Sequence, residues 1–566
     1  MATKDSWQAV VAALEAEGVE YVFGMPGTAK ILYNALYDSK TVRAVHSREQ
    51  SSGVFMAMGY SRASGKHGVC YGGPGPGMTN LMSGLLEAYA TCTPLIVLST
   101  CVSTELEGLP GFQEADQLSM AKPVTKWAVR VNDPRRVPWA MRRAFSVSMN
   151  GKPGPVYIEI PFDISLKVVD MPDYIPAKYP IRCNGSPGDV QDAVKVIAES
   201  ERPLLVCGGG TILSQAYEEV SSLADVYHIP VMTSASGRGI ISEENPLALG
   251  LTGVYCTNLG RELYLQSDLL ITVGTRNEQF ETGDWKMFPE GAKLIHIDID
   301  PFEMQRNWIS DVPVVGDAKT VLADIIQGLS AIPGSELRWK ERADSIARAK
   351  AVYEREVGEE CATPAVPIAS KRVVKELNDV FGHDTVLVNE NGSQDVWSYN
   401  YPYYRVLDAG CCVPPGNQTC MGAGVAGAIG AKLARPHRKV VCVTGDGAFQ
   451  MYMRELPTAV QNRAPVTYVV LNNSYLGWVR LHQKELGDRY ICTSFDVEPD
   501  YAQIAEASGC YGENVSDPEM ISPALQRALD ANGRGIPAVL NFKVDWTDIP
   551  VGLAYYYRTI HGYKRI

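Results

Sequence analysis

The chain has 566 residues, 46% hydrophobic and 20% charged, with a formal net charge of −12. That is length for about three domains of roughly 150–200 residues each, an ordinary globular composition, and an acidic balance that argues against nucleic acid or a membrane as a partner. The 13 cysteines include the adjacent pair Cys411 and Cys412 but no CxxC; with no secretory leader and no bilayer-length apolar run legible, a reduced, cytoplasmic setting is the expectation.

In chain order, helix-like and strand-like stretches alternate. MATKDSWQAVVAALEAEG has an amphipathic helix pattern, VEYVFGMPG is a strand entering a Gly-Pro turn, and TVRAVHS is a second strand. REQSSGVFMAMGYSRASG opens a helix whose small residues allow close packing, and HGVCYGGPGPGMTN is a strand entering a glycine loop. With LIVLST and GPVYIEIP these predict a doubly wound parallel sheet over residues 1–170. A Pro-rich irregular stretch leads to a second α/β unit, 186–335, with strands at PLLVCGGG, IPVMTSAS, LLITVGTRN and LIHIDIDP. The charged stretch 336–365 reads as a helical linker. A third α/β unit, 366–545, carries TVLVNE, KVVCVTGDG, VTYVVLNN and AVLNFKV, and an aromatic, basic tail covers 546–566. The expected fold class is therefore α/β, three doubly wound parallel-sheet domains.

The most informative stretch is GDGAFQMYMRELPTAVQNRAPVTYVVLNNSYLG, 445–477. One apolar strand breaks at Gly445-Asp446-Gly447, a helix-like segment follows, and a second strand stops at Asn472-Asn473. Ligands bind such βαβ units at the carboxyl ends of the strands. Both ends here carry side-chain oxygens, on Asp446 and Asn473, the hard donors that suit Mg²⁺ or Ca²⁺ bridging to a phosphate. The glycines admit backbone N–H groups close to that phosphate.

A GDG at one strand end and NN at the next resembles the signature of thiamine diphosphate enzymes. FGMPG, GYSRASGK, GPGMTN, FQE, GKPGPVYIEIP, GTR, LIHIDIDP, QTCMGAGVAGAIGAKLA and LGWV extend the likeness over nearly the whole chain, towards the acetohydroxyacid synthase and glyoxylate carboligase branch. The resemblance implies pyrimidine-binding, central nucleotide-binding-like and diphosphate-binding domains. It puts Mg²⁺ on Asp446, Asn473 and the carbonyl of Tyr475. It puts the coenzyme against Gly445 to Ala448, Leu476, Gly477, Gly392, Ser393 and Gln394, with Pro26 and Gly27 lining the pyrimidine pocket. Met421 would be the apolar wedge beneath the bent coenzyme, with Asn417 to Cys420 beside it. Arg276 matches a family position that contacts FAD or an ADP or CoA group in the central domain, and Gly208 to Gly210 are further candidates there.

The chain departs from the family where catalysis begins. Most members place a Glu on pyrimidine N1′ to promote proton removal from C2. Counting forward from FGMPG or back from GYSRASG puts Gln50 at that position and Glu49 at the neighbouring His position. Adjacent residues diverge by about 100° on a helix, so Glu49 does not replace Gln50 without a backbone shift. A Gln holds the ring but relays no proton; glyoxylate carboligases also lack an ionisable residue there. Phe112 and Gln113 are retained, with Gln113 set to hydrogen-bond a developing oxygen. His482 stands where acetohydroxyacid synthases carry a Trp, Phe162 where they carry a Lys, and Trp478 replaces a smaller residue. Arg558, His561 and Lys564 in the tail are candidates for closing over the site.

The implied function is a ThDP- and Mg²⁺-dependent carboligase or decarboxylase. It would take a 2-oxoacid donor and an aldehyde, ketone or 2-oxoacid acceptor, in a homodimer at least and a homotetramer by preference. Two alternatives stay open: a lyase acting on an acyl-CoA, and a cofactor-binding, catalytically silent paralogue.

Overall fold

The structure, a computed structural model, describes residues 2–27 and 30–565. Three six-stranded sheets, each parallel throughout, carry the fold. No helix among the described residues is long and apolar enough to cross a membrane.

The chain forms two compact units, the first comprising 1–181, 415–437 and 451–466, and the second 182–414, 438–450 and 467–566. In the first unit the strands run, in spatial order, Arg43–His46, Tyr21–Gly24, Gly68–Gly72, Leu95–Cys101, Val156–Pro161 and Trp127–Arg130. Winding reverses between Tyr21–Gly24 and Gly68–Gly72. That reversal opens a crevice at their carboxyl ends, where ligands of open α/β sheets bind.

The helix Gln50–Ser64 is buried on most of its surface, which explains its small-residue sequence. One face meets its sheet and another meets the helix Ala423–Ala434. The two helices touch backbone to backbone. A Cβ on Gly59 would lie 2.0 Å from the carbonyl oxygen of Gly427, and one on Gly430 would lie 1.8 Å from that of Met56.

The second unit holds two sheets. One runs Ala248–Leu251, Val231–Thr233, Pro203–Cys207, Leu269–Val273, Lys293–Asp298 and Val312–Val315. The other runs Cys412–Val413, Thr385–Asn389, Lys439–Gly445, Thr467–Asn472, Ala538–Lys543 and Tyr511–Val515. Their reversals fall between Pro203–Cys207 and Leu269–Val273, and between Thr385–Asn389 and Lys439–Gly445.

The stretches expected to be linkers are docked. Val169–Met171 pairs antiparallel with Ala2–Lys4, and Glu17 takes hydrogen bonds from Tyr174, Ala177 and Tyr179. The helix Lys340–Cys361 buries Ala343, Ile346, Val357 and Cys361. Its Lys350 ammonium donates to the carbonyls of Glu243 and Asn245 at 2.8 and 2.5 Å.

Candidate active site

The strands Lys439–Gly445 and Thr467–Asn472 are parallel neighbours, with Gly445 opposite Leu471. Their carboxyl ends bring the GDG and NN turns side by side. Asp446 is 2% exposed. Burial pushes its carboxyl up to about 7, while the backbone N–H groups of Asp446, Gly447 and Ser474, and the Lys543 charge, work the other way. Asn473 Oδ1 accepts the Tyr475 N–H at 2.8 Å, and its Nδ2 donates to Gln394 Oε1. Gln394 Nε2 in turn donates to the Trp546 carbonyl at 2.9 Å, and Ser393 Oγ to Gln394 Oε1. A Cβ on Gly477 would lie 2.1 Å from Ser393 Oγ and 2.8 Å from Asn473 Nδ2, so only glycine lets these loops interlock. Gly447 lies against Leu476 and Phe495, and the Cβ position of Gly445 faces open space. Ala448 is buried in the first turn of the helix Asp446–Tyr452.

Sequence reasoning missed Asp395. It is fully buried at this sheet's reversal, where Oδ1 accepts the Gly392 N–H at 2.5 Å. Burial raises its carboxyl to about 7, offset by the Gly392, Asp395 and Gly445 N–H groups and reinforced by Asp446. Asp395 Oδ2 and Asn391 Oδ1 are buried with no hydrogen-bond partner among the described residues. Buried acceptors without donors are costly, and a hard divalent cation is the group that would satisfy such a crevice. No three His, Cys, Asp or Glu side chains among the described residues form a metal cage of their own. Asp446, Asn473 and the Tyr475 carbonyl, two hard side-chain oxygens and a carbonyl at adjoining strand ends, could supply part of a shell for such a cation.

In the first unit, Gln50 begins its helix and Glu49 is the N-cap. The Glu49 carboxylate turns back onto its own helix, accepting the Ser52 N–H at 3.1 Å and the Ser51 hydroxyl. Gln50 points elsewhere. Its Oε1 accepts Asn80 Nδ2 at 3.0 Å, and among the described residues its Nε2 has the Met25 sulfur, at 3.5 Å, for acceptor. Gln50 thus lies at the reversal of the first sheet, between the loop of Met25, Pro26 and Gly27 and the loop of Gly75 to Asn80. Gln113, at φ 61°, packs on Gly75, and its Oε1 is buried without a partner. Phe112 beside it is 83% exposed.

The loop before Met421 has an anchor that the sequence did not disclose. Buried Glu87 accepts the N–H groups of Gly416 at 2.6 Å and Cys420 at 3.0 Å. Gly422 then turns at φ 86°, where a Cβ would strike the Tyr452 ring at 2.0 Å, and delivers half-buried Met421 to the start of Ala423–Ala434.

Trp478 and His482 lie on the helix Gly477–Glu485. Trp478 stacks on Phe280, with ring centroids 6.1 Å apart, and donates to the Tyr557 hydroxyl. His482 meets the Tyr563 hydroxyl at Nδ1 (2.8 Å) and the Tyr557 hydroxyl at Nε2 (3.1 Å). Burial and the nearby His561 hold its pKa below the usual value. His482 is therefore a joint to the tail, where Lys564 and Arg565 also reach Glu485 through their N–H groups and His561 meets Asp284. In the central sheet Arg276 is ion-paired with Glu278. The Gly208 turn packs on its neighbour across the reversal, where a Cβ would lie 2.3 Å from the Gly274 carbonyl oxygen.

Comparison with known proteins agrees in all three parts. Residues 5–120 match the N-terminal TPP binding domain of thiamine pyrophosphate enzymes, 190–325 their central domain, and 390–542 their C-terminal TPP binding domain. The chain is 36% identical over 558 residues to a "probable acetolactate synthase large subunit" of Methanocaldococcus jannaschii, spanning 95% of this chain and 91% of that one. It is 36% identical over 561 residues to a protein of the same name from Methanococcus aeolicus, spanning 95% and 92%. To the "acetolactate synthase large subunit" of Corynebacterium glutamicum it is 33% identical over 551 residues, spanning 95% and 86%.

Proposed function

The chain belongs to the thiamine pyrophosphate enzymes, and from that premise we propose that it decarboxylates a 2-oxoacid, pyruvate first, and joins the remaining carbon unit to a carbonyl acceptor. Bound thiamine diphosphate supplies a nucleophilic thiazolium carbon and a sink for the electron pair that a departing carboxylate leaves behind. The chain's residues do the rest. Asp446, Asn473 and the Tyr475 carbonyl hold Mg²⁺. Gly392 to Gln394, Gly445 to Ala448, Leu476 and Gly477 cradle the diphosphate, where close backbone approach favours an anion.

Gln50 is assigned to pyrimidine N1′. Asn80 already engages its Oε1, and among the described residues the Nε2 protons face a thioether, a weak acceptor. Such an amide orients a ring nitrogen by donating to it, and it neither gains nor loses a proton at working pH. Gln113 Oε1, buried and unpartnered, is assigned to a substrate hydroxyl or to an ordered water.

The observation that carries the proposal is the crowding of Asp446, Asp395, Asn391 and Asn473 at adjoining strand ends with two acceptor atoms left orphaned. The likeness to acetolactate synthase large subunits along 95% of the chain supports the choice of reaction. That no disulfide joins the cysteines among the described residues supports a reducing, cytoplasmic setting. A homodimer is part of the proposal, supported by exposed Phe112 and Leu109, and sedimentation of the purified protein tests it.

The test of function is incubation with pyruvate, Mg²⁺ and thiamine diphosphate, following carbon dioxide release and acetolactate formation. Both should require both cofactors. Turnover of a 2-hydroxyacyl-CoA with none of pyruvate would replace this reading with the lyase, and no turnover of either would replace it with a silent cofactor-binding protein.

A further inference from the structure

Ser474 stands between Asn473 and Tyr475 at φ 61°, a left-handed conformation that a serine avoids because its Cβ crowds the backbone. A closed ring of polar groups holds it there. Asn472 Oδ1 accepts the Ser474 N–H at 3.1 Å. Lys543 Nζ donates to Ser474 Oγ at 2.8 Å, and that hydroxyl lies 3.1 Å from Glu498 Oε2. Glu498 closes the ring by accepting Asn472 Nδ2 at 2.6 Å and pairing with Lys543. Asn472 and Lys543 are register partners at the ends of neighbouring strands, so the ring is fixed to the sheet on two sides. The turn it enforces sends the Tyr475 N–H back to Asn473 Oδ1 at 2.8 Å and brings the Phe495 N–H to the Ser474 carbonyl at 2.9 Å.

We propose that the Asn472–Ser474–Lys543–Glu498 ring is a positioning device for the divalent cation, holding the left-handed turn that fixes Asn473 and Tyr475. The inference rests on the Mg²⁺ assignment above. A purely stabilising role is a poor account of the ring. The Lys543 and Glu498 side chains are 40% and 36% exposed, and ion pairs so open to water contribute little to folding. Their effect is on local conformation.

The experiment measures the Mg²⁺ concentration for half-maximal thiamine diphosphate uptake, read by tryptophan fluorescence of the full-length protein without substrate, together with the melting temperature. Glu498→Ala should raise that concentration about tenfold, the scale typical when groups behind a metal ligand are lost, with little change in melting temperature. Adding Ser474→Gly should restore most of the affinity, because glycine adopts positive φ unaided. A wild-type Mg²⁺ requirement in Glu498→Ala, or a tenfold loss that glycine does not repair, overturns the ring's role and leaves the coenzyme assignment standing. Absence of saturable uptake by the wild type overturns both.

Discussion

At the reversal of the third sheet, buried oxygens outnumber the donors near them: Asp446 and Asp395 are both pushed towards neutrality by burial, and Asn391 Oδ1 and Asp395 Oδ2 go unpaired. At the reversal of the first sheet the polar groups are uncharged amides, Gln50 against Asn80, and Gln117 with its Oε1 on the Gly75 N–H and its Nε2 on Tyr157. The carboxylates close to the first crevice are committed elsewhere, Glu49 as a helix cap, Glu87 as a loop anchor, and Glu159 paired with Arg130 while it accepts from Tyr157 and Gln117. One topological device thus makes two kinds of site. The third sheet gathers buried carboxyl groups that a cation would settle, and the first sets uncharged amides where Gln50 lies.

The sharpest way to break this contrast is to remove the charge. Asp446→Ala should weaken Mg²⁺-dependent uptake of thiamine diphosphate by more than about a hundredfold, since even indirect losses around a metal approach that scale; calorimetry with the purified variant measures it. Putting charge into the neutral crevice is the converse. Gln50→Glu should speed exchange of the coenzyme's C2 proton by on the order of a hundredfold, the lower range for general acid–base assistance, and give the exchange rate a new ionisation. A slower or unchanged rate, followed by NMR in deuterated buffer, removes Gln50 from N1′. Glu87→Gln keeps an acceptor for one of the Gly416 and Cys420 N–H groups and turns its own amide hydrogens on the other, and should cost about 1–3 kcal/mol of stability, with weaker coenzyme uptake through the Met421 loop, read by denaturant titration and the same calorimetry.

The smallest effect is a slope with pH. Asp395 and Asp446 have folded values raised from 3.8 to about 7, so between those limits the folded protein binds more protons than the unfolded chain. Their contribution to stability is therefore full at acid pH and lost as pH rises through 7. Metal-free protein should show that decline in melting temperature, Asp395→Asn should show less of it, and Mg²⁺ with thiamine diphosphate should suppress it.

Much of this architecture is legible in the amino-acid sequence. The strand-ending GDG and NN turns lie side by side because adjoining parallel strands bring their ends together, and the three sheets follow from alternating apolar strands and helices. Glu49 and Gln50 diverge for a different reason than helical spacing, because Glu49 is an extended N-cap whose carboxylate bonds back to Ser52. Glu87 is hidden because its partner Gly416 lies 329 residues away, and no local pattern marks a carboxylate that serves distant N–H groups. Asp395 gives no signal because its interest lies in an atom left without a partner, which only packing reveals. His482 reads equally well as a surface residue in the sequence, and it is the tail tyrosines on both of its ring nitrogens that decide otherwise.

The crossing of Gln50–Ser64 with Ala423–Ala434 has a mechanical consequence. Main chain meets main chain at Gly59 and Gly427, and again at Met56 and Gly430, so no side chain is there to yield to an added one. Gln50 opens one helix, and Met421 lies just before the other. An alanine at Gly59 or Gly430 would therefore wedge the two helices apart at their closest point and displace the amide at one helix start from the thioether at the other.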